Sequence, residues 1–183
     1  MKLQNFLLAG LLICSFGAKA DVKYAGVSFQ SGDIDVDSDS FDVSAYGVNF
    51  LSTSGNILFS TSAASGTVDD VYGYDLDFAA QGIDLGYAFG DLKTGSFVFG
   101  ASHTRVEIQV PGSSNAKSNE TDPFVGFAKM SGEGTDYSIT ISDGTLSARG
   151  IFSIGASDDW KATLGFGTSD DGDSVSIGMV LQF

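Results

Sequence analysis

Through most of this chain apolar side chains recur at every second position, the spacing of a β-strand with one apolar face. The last stretch shows the pattern most cleanly. Val175, Ile177, Met179, Leu181 and Phe183 share one face, and Ser174, Ser176, Gly178, Val180 and Gln182 share the other. Before it, Trp160, Ala162, Leu164 and Phe166 alternate with Lys161, Thr163, Gly165 and Gly167. Ile83, Leu85, Tyr87 and Phe89 alternate in the same way with Gly82, Asp84, Gly86 and Ala88. Shorter runs of the same kind cover 22–30, 41–51, 57–64, 124–130, 137–141 and 146–155. The segment from Ser96 changes phase midway: Phe97, Phe99 and Ala101 are odd, whereas Val106, Ile108 and Val110 are even. A bulge near His103-Thr104, or an exit from an apolar environment there, would produce that change.

Turn signals separate these runs. Asp143-Gly144 is a hairpin dipeptide, and 52–56, 91–95, 132–135, 156–159 and 170–173 carry Gly, Asn, Asp or Ser clusters. An acidic stretch at 31–40, a polar Gly- and Asp-rich one at 66–77 and an aperiodic one at 111–120 read as long loops. The count is ten strands, or eight if the weak segments between 124 and 155 are two strands instead of three. Long connections follow the first, third and fifth strands and short ones follow the even strands. That asymmetry, an even count and one apolar face per strand predict an all-β transmembrane antiparallel up-and-down β-barrel, apolar face to lipid and polar face to the lumen. Pairing of the first strand with the last would leave no sheet edge.

The amino terminus changes where such a barrel is expected. Lys2, an apolar run from Phe6 to Ile13 and Ala18-Lys19-Ala20 form a secretory signal over residues 1–20. The run is too short to span a bilayer as a helix. Cys14 lies inside this leader, and Ile13 before it argues against a lipid anchor. The mature barrel domain is then 21–183, exported without a cysteine and so without a disulfide framework. Without Lys2 and Lys19, seven basic residues face 23 acidic ones, a net charge of −16. That charge excludes nucleic acid as a partner and opposes docking on anionic headgroups.

The signal at 18–20, strands such as 160–167 (WKATLGFG) and the terminal 175–183 (VSIGMVLQF) together resemble the small outer-membrane β-barrels of Gram-negative bacteria, the porin-like group of opacity-type and OmpA-type barrels. The resemblance implies an outer-membrane location, contact with outer-membrane lipid and lipopolysaccharide, and delivery by periplasmic chaperones to the barrel-assembly machinery. That machinery reads a terminal strand ending in an aromatic, which makes Val175, Ile177, Met179, Leu181 and Phe183 the membrane-insertion signature. The resemblance implies no particular ligand; no cofactor is expected, and no peptidoglycan-binding domain is expected beyond the barrel.

Few residues suggest chemistry. Asp33, Asp35, Asp37 and Asp39 project at period two, about 6.6–7 Å apart in an extended chain, and Asp170, Asp171 and Asp173 are expected on the same side. Ca²⁺ needs six to eight oxygens at about 2.3–2.6 Å, so a cation site would require a turn, and a solvated acidic loop is the simpler expectation. His103, Ser102 and Glu107 hold the elements of a hydrolytic set, yet neighbours in a strand face opposite ways, and no catalytic residue is expected. Arg105, Glu107, Lys129, Arg149 and Lys161 are the expected lumen charges. A barrel of eight strands is filled by side chains and one of sixteen holds a channel, so ten favours a plugged lumen. Tyr72, Tyr74, Trp160 and Phe183 are expected at membrane interfaces.

The expected protein is a monomeric, non-enzymatic outer-membrane barrel with a structural, surface-interaction or narrow porin-like role. The alternatives are a soluble lipocalin-like barrel with its apolar faces inward, and an outer-membrane barrel enzyme acting on lipid.

Overall fold

The computed structural model describes residues 21–36, 39–154 and 157–183; the expected leader at 1–20 and Asp37 lie outside the described residues. Ten strands follow in order: β1 (Val22–Val36), β2 (Asp39–Ser54), β3 (Ile57–Val71), β4 (Tyr74–Ala88), β5 (Ser96–Ile108), β6 (Ala116–Lys129), β7 (Thr135–Ser142), β8 (Thr145–Ile154), β9 (Ser157–Ser169) and β10 (Gly172–Gln182). Each pairs antiparallel with its neighbours in sequence, and β1 pairs with β10 to close the barrel. Segments six to eight are three strands, which decides ten over eight.

Asp21, the first described residue, and Phe183 lie at one end of the barrel, here called the base, where the Phe183 amide donates to the Lys23 carbonyl at 3.2 Å. The opposite end is the crown. At the closing seam Gly26 sits opposite Val180. A Cβ on Gly26 would fall 2.0 Å from the Met179 carbonyl oxygen, so the close approach there requires glycine.

The crown hairpins are tight. Ser142 pairs with Thr145 across a two-residue turn in which Asp143 (φ 45°) and Gly144 (φ 73°) are both left-handed, the type I′ geometry matched to strand twist. Replacing Gly144 with alanine should destabilise the barrel by about 1 kcal/mol, read as a lowered urea midpoint in lipid vesicles.

The expected long loops are mostly strand. Residues 31–36 continue β1 and pair with 39–44, Ile34 opposite Phe41 and Val36 opposite Asp39. Residues 66–77 form the tip of the β3–β4 hairpin, turning at Tyr72-Gly73. Residues 116–120 belong to β6, which leaves a connection of only 109–115. No bulge lies at His103-Thr104, because the β4–β5 register is continuous from Ala88↔Val98 to Phe78↔Ile108. The phase change is the exit alternative: Phe97 and Phe99 are exposed outside the barrel, whereas Val106 and Ile108 turn inward above the apolar belt. Once a strand leaves the belt its outer face need no longer be apolar, so the period-two signal fades or inverts.

The wall is uneven in height. At about 3.3 Å per residue and a tilt of about 45°, the 15 residues of β3 rise roughly 35 Å, beyond an apolar band of about 25 Å. The 8 residues of β7 rise only about 19 Å by the same measure. β6 pairs with β7 only from Phe124 to Lys129, although β6 begins at Ala116.

Candidate functional site: the barrel interior and its two ends

The outer face is an apolar belt. Val175, Ile177, Met179, Leu181 and Phe183 all point outward and are exposed, as are Leu85, Phe97, Val125, Ile139, Ile141 and Leu164 on other strands. Near the base the belt turns aromatic. Phe50 packs against Phe59 (6.4 Å between ring centroids) and Phe183 (6.5 Å), and Lys23 places its ammonium 5.9 Å from the Phe183 ring. The girdle continues through Tyr87, Phe89 and Phe99 to Phe97, Phe127 and Tyr137. Trp160 and Phe183 are in this girdle. Tyr72 and Tyr74 are not: they flank the β3–β4 tip at the crown, where Tyr72 meets Phe41 at 6.0 Å. They leave the expected interface because their strands run past the belt.

The interior has two halves. Toward the base it is a packed apolar core, with Leu51, Leu58, Val98, Phe124, Met130, Ile151 and Val180 all buried. Two base turns fold into it: Leu92 from the β4–β5 turn and Met130 from the β6–β7 turn are joined by the Met130 amide donating to the Leu92 carbonyl at 2.8 Å. A polar clasp locks the second turn. Asp136, 1% exposed, accepts from the Tyr24 hydroxyl at 2.5 Å, the Ser131 amide at 2.8 Å, the Ser131 hydroxyl at 2.9 Å and the Gly132 amide at 2.9 Å. Lys161, also 1% exposed, donates to the Gly132 carbonyl at 3.0 Å and to Ser153 Oγ at 3.3 Å. Gly132 thus sits between a buried anion and a buried cation, and its φ of 77° is the left-handed turn that lets the chain double back across the base.

Toward the crown the interior opens into a cavity of about 320 Å³ that rests on Leu51, Leu58, Val98, Phe124 and Met130 of the core. Ser60, Ser102, Thr140, Ser147 and Ser176 line it, with Arg149 exposed to it and Asp84 attracting that guanidinium. Asp84 also accepts from the hydroxyls of Ser60 and, at 2.6 Å, Ser102. The cavity is dead-ended by the core beneath it.

Of the expected lumen charges, Arg149 and Lys161 face inward. Arg105, Glu107 and Lys129 do not. Lys129 lies on the outward register of β6 opposite Tyr137, at the base edge of the belt, where its long stem can reach past apolar surface. Glu107 is outward at the crown, paired across strands with Lys117 at 3.5 Å and accepting from Asn115 at 2.9 Å. The Asn115 amide, with Lys117 second, holds its carboxyl below the usual carboxylate range. Arg105 shares the register of Glu107, two residues away. Arg105 and Glu107 fall outward because the even apolar positions Val106 and Ile108 face the lumen in this part of β5.

Among the described residues no three His, Cys, Asp or Glu side chains converge on a metal-sized site. Asp33 and Asp35 occupy alternate positions of β1, Asp39 opens β2, and Asp170, Asp171 and Asp173 lie at the β9–β10 turn, where the Asp35 amide donates to the Asp171 carbonyl at 2.7 Å. His103 points outward, its Nδ1 2.7 Å from Thr121 Oγ1, while Ser102 points to the lumen. β5 therefore holds Ser102 and His103 on opposite faces. Asp136 was not among the expected site residues. Its one sequence signal is phase: Tyr137, Ile139 and Ile141 are outward, which makes residue 136 inward.

No sequence-family profile matches the chain, and no curated protein is similar to it in sequence. Among solved structures, the barrel is similar to Neisserial surface protein A at 12% identity, covering 87% of this chain and 95% of that one with a TM-score of 0.46. It is similar to Ail, the attachment invasion locus protein of Yersinia pestis, solved with the heparin analogue sucrose octasulfate, at 11% identity over 90% and 99%, TM-score 0.46. The outer membrane protein OprG of Pseudomonas aeruginosa is similar at 14% identity over 90% and 97%, TM-score 0.45. Each of these likenesses is one of fold.

Proposed function

We propose that this protein is a monomeric outer-membrane β-barrel, closed toward the periplasm, that acts through its crown and not as a conducting pore. The base would then be periplasmic and the crown external. The carrying observation is the double closure of the base, by the apolar core and by the Asp136–Gly132–Lys161 clasp. A conducting lumen needs continuous polar space, and the core interrupts it. The exposed apolar belt supports the membrane reading against a lipocalin-like barrel, which would bury its apolar faces inside. Export by the leader, chaperone delivery and insertion by the assembly machinery are part of the same proposal, as is lipid and lipopolysaccharide around the belt.

The role is structural or surface-interacting, without catalysis. Ser102 and His103 on opposite faces of β5 support that reading. Two measurements test it. Purified protein added to planar bilayers should give no steady conductance steps; regular steps would overturn the closed lumen. Membrane fractionation should recover the protein in the outer membrane with heat-modifiable migration on an unboiled gel. Release in the soluble periplasmic fraction would overturn the membrane reading.

A further inference from the structure

Among the described residues the longest stretch of strand paired on one side only lies on β6. β6 starts at Ala116, but its pairing with β7 begins only at Phe124, opposite Ser142. The last contact across that gap is the Ser142 hydroxyl donating to the Pro123 carbonyl at 3.1 Å. On its other side the same stretch is fully paired with β5, from Ile108↔Ala116 to Ser102↔Asp122. Residues 116–122 are therefore strand with one ladder made and the other unmade. They form about 23 Å of edge at about 3.3 Å per residue. Residues 116–121 are exposed throughout. The β7–β8 turn floors this notch.

An extended chain is the ligand shape that satisfies such an edge, because it supplies the missing backbone partners. Charge decides which chain. On the inward face of the edge stand Glu120 and Asp122, two positions apart, with Ser118 donating to Glu120 at 2.8 Å. Asp143 lies at the floor. The one nearby cation on β6, Lys117, faces outward and is engaged by Glu107. A second copy would bring the same two carboxylates, Glu120 and Asp122, to the inward face of the contact and no inward cation to pair them, which disfavours self-pairing.

We propose that the β6 edge at 116–122 receives an extended polypeptide carrying basic side chains at alternate positions, added as an extra strand in the notch above the β7–β8 turn. Basic residues at i and i+2 fall on one face of a strand, the spacing of Glu120 and Asp122. Backbone pairing supplies affinity, and the two carboxylates supply selection for positive charge. The proposal rests on the reading above only for the crown being external. Its test uses purified protein in detergent micelles, so conductance or fractionation can fail without deciding it.

The probe is a synthetic octapeptide alternating lysine and threonine, titrated while amide exchange is followed by NMR. The comparison peptide has the same sequence with alternate amides N-methylated, which keeps the charge and removes the ladder. Binding should slow exchange at 116–122, and it should weaken roughly tenfold or more for the methylated peptide and for the Glu120→Lys/Asp122→Lys double variant. Equal binding of both peptides would reduce the effect to charge adsorption and overturn the proposal. No binding would overturn it too, as would edge protection that rises with protein concentration in the absence of peptide, the signature of a second copy.

Discussion

Replacing Asp136 with alanine is expected to cost about 3–5 kcal/mol of stability, the largest effect of a single substitution in this barrel. Four donors converge on that carboxylate: the Tyr24 and Ser131 hydroxyls and the amides of Ser131 and Gly132. Alanine orphans the buried Tyr24 hydroxyl and Gly132 amide, each at about 1–3 kcal/mol, while the half-buried Ser131 hydroxyl keeps the Glu133 carbonyl as an acceptor. Lys161 keeps its two hydrogen bonds but loses the anion bound to the Gly132 amide, so its buried charge is less well compensated. Urea unfolding in lipid vesicles, followed by fluorescence of Trp160, the only tryptophan in the chain, reads the loss directly. Because the clasp holds the inward-folded turn, the same variant should show conductance steps where the parent is silent. Asp136→Asn keeps the shape and part of the acceptor capacity and should fall between the two. A stability change below about 1 kcal/mol for the alanine variant would mean that the apolar core alone closes the base.

Ile177→Lys and Ser176→Lys should differ sharply although the two positions are adjacent. Ile177 points outward at the middle of β10 and is 54% exposed. A lysine there faces hydrocarbon, at a cost of about 2–4 kcal/mol near the bilayer midplane. Ser176 lines the crown-side cavity, where Asp84 offers a carboxylate. The second substitution should cost less than about 1 kcal/mol. Paired urea titrations in vesicles check both. Similar losses for the two variants would mean that the outward face of β10 is not in lipid.

Much of the belt was legible in the sequence because lipid enforces alternation. The final strand, the Asp143-Gly144 turn and the inward positions of Arg149 and Lys161 follow from phase alone. What lies beyond the belt was not. Residues 31–36 and 66–77 look like loops because a strand in water on its outer face needs no apolar stripe, and its inward apolar positions, such as Ile34 and Val68, are then too sparse to set a period. Lys129 shows the complementary limit: at the edge of the belt a long side chain can face outward and still reach water, so charge does not imply the lumen. Asp136 was hidden by its surroundings, since Gly132-Glu133-Gly134 reads as a solvated turn and only the folded chain carries that turn into the core.

The seam between β1 and β10 also has a consequence in time. Every other strand pair joins sequence neighbours and can form as a hairpin while the chain is still being delivered. Tyr24 meets Gln182, Val27 meets Met179 and Gly32 meets Ser174 only across nearly the whole polymer. Closing so large a loop carries its entropy cost before any contact repays it, which makes this ladder the slow step of folding. Until then the sheet is an open ribbon with two bare edges, one of them the stripe that ends in Phe183. The last strand is therefore the wall without which neither edge of the sheet is covered.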